Sequence, residues 1–321
     1  MKGGSWAVAL LIALACEPAL GETYPSRPVR VMVPASAGGV TDLIARITAD
    51  YLFVRTNQRF VVENRTGAGG NLATEAVARA EPDGYTLGLV ASGNLVINPY
   101  IYQRMPFDAK TDLVPVAAIA EAPQVIAINK DVPAATLQDL IAIARAKPES
   151  LKYASAGNGS TMHLAGDRFA RLAGVKLVHV PYRGASPAVT DVVAGFVQVI
   201  SVSAGPIVAF VRSGQLRVLA AASARRLKHF PDVPTSAEAG LPGYEMTTWF
   251  GLVAPRNTPD EIVQTLNGFI RDMLANPGAG KRLEDAFLDR MPMTQPEFAA
   301  FVAAEFPKWE KVVRDSGLQP D

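Results

Sequence analysis

The chain of 321 residues contains one cysteine, Cys16. A lone cysteine permits no intramolecular disulfide and no cysteine-built zinc site. An excess of one charge is missing as well. Lys plus Arg number 31 and Asp plus Glu 30, a formal net charge of +1, and no basic block supplies an electrostatic footprint for nucleic acid. Charged residues make up only 19% and hydrophobic residues 49%, which argues against disorder and for substantial cores. At roughly 150 residues per domain, the length favours two domains.

Long apolar runs are absent beyond the N-terminus, so no later segment is expected to span a membrane. Lys2 gives a short positive start, Trp6 to Ala15 is continuously apolar, and Glu17 and Pro18 break the run. Ala19-Leu20-Gly21 then places small residues at the two positions a signal peptidase reads, the layout of a secretory signal over residues 1–21. The apolar run is about half of the ~20 residues needed to cross a bilayer. Cleavage near Gly21 removes the only thiol. The alternative is lipidation at Cys16, although Leu14 stands one place from where a lipobox usually carries its leucine.

Nucleotide and enzyme fingerprints are lacking too. Gly67-Ala68-Gly69-Gly70-Asn71-Leu72 misses the third glycine of the dinucleotide pattern, and no loop ends in Gly-Lys followed by Ser or Thr. No Gly-x-Ser-x-Gly elbow exists. His163, His179 and His229 lie in separate segments without metal-ligand spacing, so no metal and no cofactor is expected. Ser160 and His163 form the one candidate nucleophile–base pair, but Ser160 at a helix start reads better as a cap. Asp42 and Arg46, one helical turn apart, read as a pair. Trp249 and Phe250 read equally well as core or cleft wall, and Tyr102 and Trp309 as packing residues.

What is present is alternating strand and helix. Val29–Val33, Phe60–Glu63, Thr86–Val90, Val125–Ile128, Val178–Val180, Val197–Val202, Leu216–Ala222 and Phe250–Val253 read as strands. Leu43, Ile44, Ile47 and Tyr51 mark the inner face of a helix from Thr41, and Leu72, Ala76 and Val77 that of the next. Helix starts are announced by Thr136 with Asp139, Ser186-Pro187, Thr258-Pro259 with Glu261, and Thr294 with Glu297. Such βα units give mostly parallel sheets covered by helices. With no flexible linker, two lobes joined by ordered crossing strands fit best.

Three strand-to-helix junctions are rich in small and hydroxyl residues: Ser36 to Asp42, Ser155 to Thr161, and Tyr182 to Ser186. Ligands in open α/β sheets bind at such junctions, where glycines admit close backbone approach and helix N-termini favour anions. Any one of them reads as an ordinary glycine-rich turn; three in one chain point to a site for an anion held without basic side chains.

The sequence resembles the Bug-type solute receptors of tripartite tricarboxylate transporters. The likeness rests on Tyr24-Pro25-Ser26-Arg27-Pro28, Gly38-Gly39-Val40-Thr41-Asp42, Glu63-Asn64-Arg65, Pro82-Asp83-Gly84-Tyr85, Ala154-Ser155-Ala156-Gly157-Asn158-Gly159-Ser160, His179-Val180-Pro181-Tyr182-Arg183-Gly184 and Pro231-Asp232-Val233-Pro234-Thr235. The resemblance implies an α/β, two-lobed periplasmic binding protein fold of type II-like kind, each lobe a mixed sheet flanked by helices. Lobe 1 would comprise 22–124 plus 248–321, and lobe 2 would comprise 125–247. It implies a monomeric periplasmic receptor, not an enzyme, that closes on a small organic carboxylate and delivers it to membrane permease subunits. The implied contacts are Ser36, Ala37, Gly38, Gly39, Asp42 and Ser92 from one lobe. The other lobe would supply Ser155, Asn158, Gly159, Ser160 and His163, with Ser201 or Ser203. Ala35, Thr66 and the run Ile200-Ser201-Val202-Ser203 depart from the family pattern. The Ala35 departure suggests a pocket enlarged for a bulkier acid. A secreted α/β hydrolase using Ser160 and His163, and a ligand-sensing partner of a signalling receptor, remain alternatives.

Overall fold

The computed structural model describes residues 24–158, 160–182 and 184–317. The expected signal over 1–21 with Cys16, and the loop residues Gly159 and Arg183, lie outside the described residues.

The chain opens with β1 (Val29–Val33), α1 (Val40–Thr56), β2 (Phe60–Asn64), α2 (Asn71–Ala78) and β3 (Thr86–Ala91). β-branched runs make these strands, and β1 pairs in parallel with β2 on one side and β3 on the other. α1 buries Ile44, Ala45, Ile47 and Leu52, which turns Leu43 outward, and α2 buries Ala73 and Val77 but not Leu72. Ile44, Ile47 and Val77 thus face inward as expected, while Leu43 and Leu72 turn outward. A π-helical turn, Gly93–Ile97, follows β3 and runs into α3 (Asn98–Ile101).

β4 (Leu113–Asn129) is far longer than the four-residue strand expected there. It pairs antiparallel with β9 (described below) as far as Pro123, then changes partner: Gln124 onward pairs with β7. Proline carries no N–H, so the exchange falls where no ladder donor is lost. Beyond β4 come α4 (Leu137–Ala146), β5 (Lys152–Ser155), α5 (Thr161–Ala173), β6 (Val178–Pro181), α6 (Ala185–Val193), β7 (Val199–Ser203), α7 (Val208–Arg212) and β8 (Leu216–Ala221). β5 joins β6 and β7 in parallel, while β4 meets β7 and β8 antiparallel.

The return crossing is β9 (Thr247–Pro255), antiparallel to both β3 and β4. It is followed by α8 (Asp260–Ala275), α9 (Pro277–Asp285), β10 (Asp289–Arg290) and α10 (Gln295–Ser316). The two crossing strands make the sheets mixed, whereas uninterrupted βα units would have left them mostly parallel. The strand order is β2-β1-β3-β9-β4-β7-β5-β6, with β8 and β10 also on β4.

Two of the announced helix starts are reciprocal capping boxes, Thr136 with Asp139 and Thr294 with Glu297. The other two differ. α6 begins two residues early, at Ala185, so Ser186 lies inside it, and the Thr258 hydroxyl donates to the Pro255 carbonyl at 2.8 Å instead of capping α8.

α10 lies along the molecule and buries Phe298, Val302, Phe306, Trp309, Val312 and Val313 in a core shared with Val90 and Leu95 near β3 and with Phe169 and Tyr244 beyond the crossing. The Glu305 carboxylate is buried in that core. Its Oε2 accepts from the Trp249 indole at 3.0 Å and from the Trp309 indole at 2.8 Å, and its Oε1 from Lys308 at 2.7 Å. Trp249 is therefore a core residue tied to α10, and no helix among the described residues is long and apolar enough to cross a membrane.

Candidate ligand cleft

A cavity of about 350 Å³ opens where the ends of β1 and β3 face the start of α5. Pro34, Thr41, Gly69, Ala91, Gly93, Asn94, Asn98 and Tyr102 form one wall, and Ala156, Asn158, Ser160 and Thr161 the other, with Thr248 of β9 at the crossing. Among the described residues no charged side chain lines it. A second cavity, of about 370 Å³, lies against the crossing strands and carries four carboxylates, Glu121, Glu245, Asp289 and Glu305, against Arg225 and Lys308. That balance repels an anion, so the neutral cleft is the anion-compatible one.

The first wall is held rigid by a ladder of amides. Asn94 accepts from the Ala91 N–H and donates to Thr74, both at 2.8 Å. Asn98 donates to the Gly69 carbonyl at 3.0 Å and to Asn71 at 2.7 Å. Gly69 has φ +63°, and a Cβ there would sit 2.7 Å from the Tyr102 hydroxyl, so glycine is needed for both reasons.

The loop after β1 is shaped from beneath. Asp42 is 2% exposed, accepts from the Gly38 N–H at 2.8 Å, pairs with Arg46 at 2.9 Å and accepts from Asn64 at 2.9 Å. Asn64 also donates to the Ala35 carbonyl at 2.9 Å, which explains why Asn64 accompanies this loop. The Arg46 guanidinium, with the Gly38 and Asn64 donors, outweighs burial and holds the Asp42 carboxyl down at about 2.

On the second wall, Ser160 caps α5. Its Oγ accepts from the His163 N–H at 3.2 Å and its hydroxyl donates to the Gly157 carbonyl at 2.7 Å. The first-turn N–H groups of an α-helix have no partner within the helix, and the positive end of its dipole faces the cleft. Below the loop, Tyr153, His179 and His163 stack. The histidine rings are 3.9 Å apart at 7°, and Tyr153 lies 4.9 Å from His179. His179 Nε2 is 2.7 Å from Ser155 Oγ, which also accepts from the Gly157 N–H at 3.1 Å. Burial first, then the neighbouring His163 ring, hold His179 down at about 4, and burial lowers His163.

The expected contact residues divide accordingly. Asn158 and Ser160 line the cavity. Ser36, Ala37, Gly38 and Gly39 are exposed on the loop at its rim, next to the lining Pro34 and Thr41. Asp42 and Ser155 are buried under their loops and support them from below. Ser92 lies between the lining residues Ala91 and Gly93, and its buried hydroxyl has no hydrogen-bond partner among the described residues. His163 is buried with its ring against His179, so it sits behind the wall instead of on it. Ser201 is also turned into the core, bonded to Gln124 at 2.8 Å and Tyr244 at 3.0 Å, and Ser203 pairs with Gln124 on β7 away from the lining. Ala35 packs on the core of the first sheet beside the lining Pro34 and does not itself line the cavity. Asn94, Asn98 and Tyr102 were missed as wall residues, although their spacing of four places them on one helical face.

The sequence description "tripartite tricarboxylate transporter family receptor" matches residues 44–318. The chain belongs to this receptor family. The receptor is 35% identical over 303 residues to protein BugT of Bordetella pertussis, covering 94% of this chain and 93% of that protein. Among solved structures it is similar to R. palustris Rpa4515 with adipate, at 35% identity and a TM-score of 0.84, covering 93% of this chain and 100% of that one. It is also similar to MatC from Rhodopseudomonas palustris with bound malate, at 33% identity and a TM-score of 0.78, covering 90% and 100%. The receptor thus has the two-lobed fold of periplasmic solute-binding proteins.

Proposed function

We propose that this receptor captures a small organic carboxylate in the periplasm by lobe closure and presents it to the permease subunits of a tripartite tricarboxylate-type transporter, without turning it over. The observation that carries the reading is the cleft: a cavity of about 350 Å³ faced by the α5 N-terminus and by neutral amides and hydroxyls. Backbone and side-chain N–H and O–H groups hold a carboxylate there, in keeping with the adipate and malate bound by its relatives. Lobe 1 is taken as 22–124 plus 248–321 and lobe 2 as 125–247, so that β4 and β9 are the hinge. The ligand bridges the lobes and shifts the population from open to closed. The receptor works as a monomer and reaches the periplasm through a signal cleaved near Gly21. Ser160, already committed to the Gly157 carbonyl and the His163 amide, serves as a cap in this scheme and not as a nucleophile.

The test is a thermal-shift panel of mono-, di- and tricarboxylates including adipate and malate, on the mature protein. At least one acid raises the melting temperature in a concentration-dependent way, and isothermal calorimetry confirms binding without turnover. If no acid in the panel stabilises the protein, or if the stabilising acid is consumed, the proposal fails.

A further inference from the structure

We infer that His179 is a positioning residue of the ligand loop, acting through Ser155 on the turn that carries Ala156, Asn158 and Ser160 into the cleft. The inference rests on the reading of that cleft as the carboxylate site and names a residue that sets its geometry from behind. His179 is on the edge strand β6 and does not line the cavity. Its Nε2 lies 2.7 Å from Ser155 Oγ, and Ser155 is wholly buried. With Nε2 as acceptor, the Ser155 hydroxyl donates to it and leaves an Oγ lone pair for the Gly157 N–H at 3.1 Å. Gly157 is held at φ +123°, and its carbonyl takes the Ser160 hydroxyl, so one chain of bonds runs His179–Ser155–Gly157–Ser160 to the cap of α5.

Protonation breaks the sense of this chain. An imidazolium donates from Nε2, and the Ser155 proton must turn to the Gly157 carbonyl at 3.2 Å, where Ser160 already donates at 2.7 Å. The surrounding groups oppose that charge or leave it uncompensated. The His163 and Tyr153 rings both stack against it, at 3.9 Å and 4.9 Å, and lie 6.4 Å from each other. Asp167, one turn along α5, is ion-paired with Arg171 at 3.5 Å while its buried Oδ2 makes no hydrogen bond among the described residues, and Lys152 lies on the opposite face of β5 from Tyr153. Burial and the His163 ring hold His179 down at about 4, so the Ser155-to-His179 link keeps its direction at neutral pH and reverses as the pH falls toward that value.

The test compares His179→Phe, His179→Gln and Ser155→Ala with wild type by calorimetry using adipate and malate. Phe keeps a ring against His163 and Tyr153 but removes the acceptor, and Gln restores a hydrogen-bonding atom near the Nε2 position. The expected result is about three- to tenfold weaker binding for Phe, the worth of one net hydrogen bond. Gln recovers the affinity, and the Phe/Ala double variant loses no more than Phe alone. The wild type loses affinity between pH 6 and pH 4 more steeply than Phe or Gln. Wild-type affinity and an unchanged acid limb in Phe would overturn the inference. Should Phe fail to fold, as judged by circular dichroism, Ser155→Ala decides: unchanged affinity overturns the inference, and a matching loss supports it. An arm without ligand separates the two readings. Hydrogen exchange of the Gly157 amide is faster in Phe and restored in Gln even if no acid binds, and equal exchange refutes the role of His179 whatever becomes of the functional reading.

Discussion

Replacing Glu305 by alanine should destabilise the receptor by about 2–4 kcal/mol, and replacing it by glutamine by about 1 kcal/mol. Glu305 is 5% exposed, and its Oε2 is the acceptor for both the Trp249 and Trp309 indoles. Alanine leaves two buried N–H donors without that acceptor, at about 1–3 kcal/mol each. The cavity beside the crossing strands reaches Glu305 and admits water to the vacated space, which trims the sum. The exposed Lys308 ammonium adds little on its own, because a half-exposed pair is worth about 0–1 kcal/mol. Glutamine keeps one oxygen for the indoles and loses only the charge on the acceptor. The assay is urea unfolding followed by tryptophan fluorescence. The sequence holds three tryptophans, Trp6, Trp249 and Trp309, so cleavage near Gly21 leaves as reporters only the two that contact Glu305. If alanine is no more destabilising than glutamine, or if neither changes the native emission spectrum, the carboxylate is not what satisfies the indoles.

Three further outcomes follow from the cleft and its supports. Asp42→Asn should cost about 1–2 kcal/mol at pH 7, discounted because Arg46 is half-exposed. The Asp42 carboxyl is held near 2, below its unfolded value of 3.8, so its contribution is present above about pH 4 and is lost as the pH falls toward 2. Urea midpoints of the two proteins should therefore converge at pH 2. Gly69→Ala should leave the circular dichroism spectrum native yet weaken the best-bound acid by about tenfold in calorimetry, because the new Cβ drives the Tyr102 ring off its seat on the wall. Gly166→Ala should lower stability by about 1–3 kcal/mol in urea unfolding, since its methyl overlaps the Tyr153 ring beneath the histidine stack.

The strands built from β-branched runs were legible: Val29–Val33 has the bounds expected, and β2, β3, β6 and β8 differ by a residue or two. Reciprocal caps at Thr136 and Thr294 were legible because they need only two side chains three apart. The first half of β4 was not, since Pro115 and Pro123 interrupt the run and proline within a run weakens a strand pattern. Their place at a register shift and at the exchange of partners depends on strands far away in sequence. β5, four residues long, was too short for any period to show. Two of the three small-residue loops, those after β1 and β5, border the cavity, while no described residue of the third, Tyr182 to Ser186, lines it, and side-chain orientation did not follow from any of them. His163 lies just beyond one of those junctions and Ser201 on β7, and both face the core, whereas Asn94 of the π-helical turn, Asn98 of α3 and Tyr102 just after it face the cleft from a segment where no ligand signal was read. A hydroxyl or amide in the right loop is visible in sequence, but its direction is set by packing.

The return of the chain through β9 has a consequence for how the molecule comes to exist. β3 gains its second neighbour only when β9 arrives, and Val116 on β4 waits for Asn267, 151 residues later, as Pro115 waits 180 residues for Gln295. A chain emerging from its N-terminus thus carries an unfinished sheet with an open edge until nearly all of it has been made, while the segment between the crossings holds its own strand partners and can assemble earlier. Late completion leaves the first sheet open, and with it that part of the chain pliable, until synthesis is nearly over.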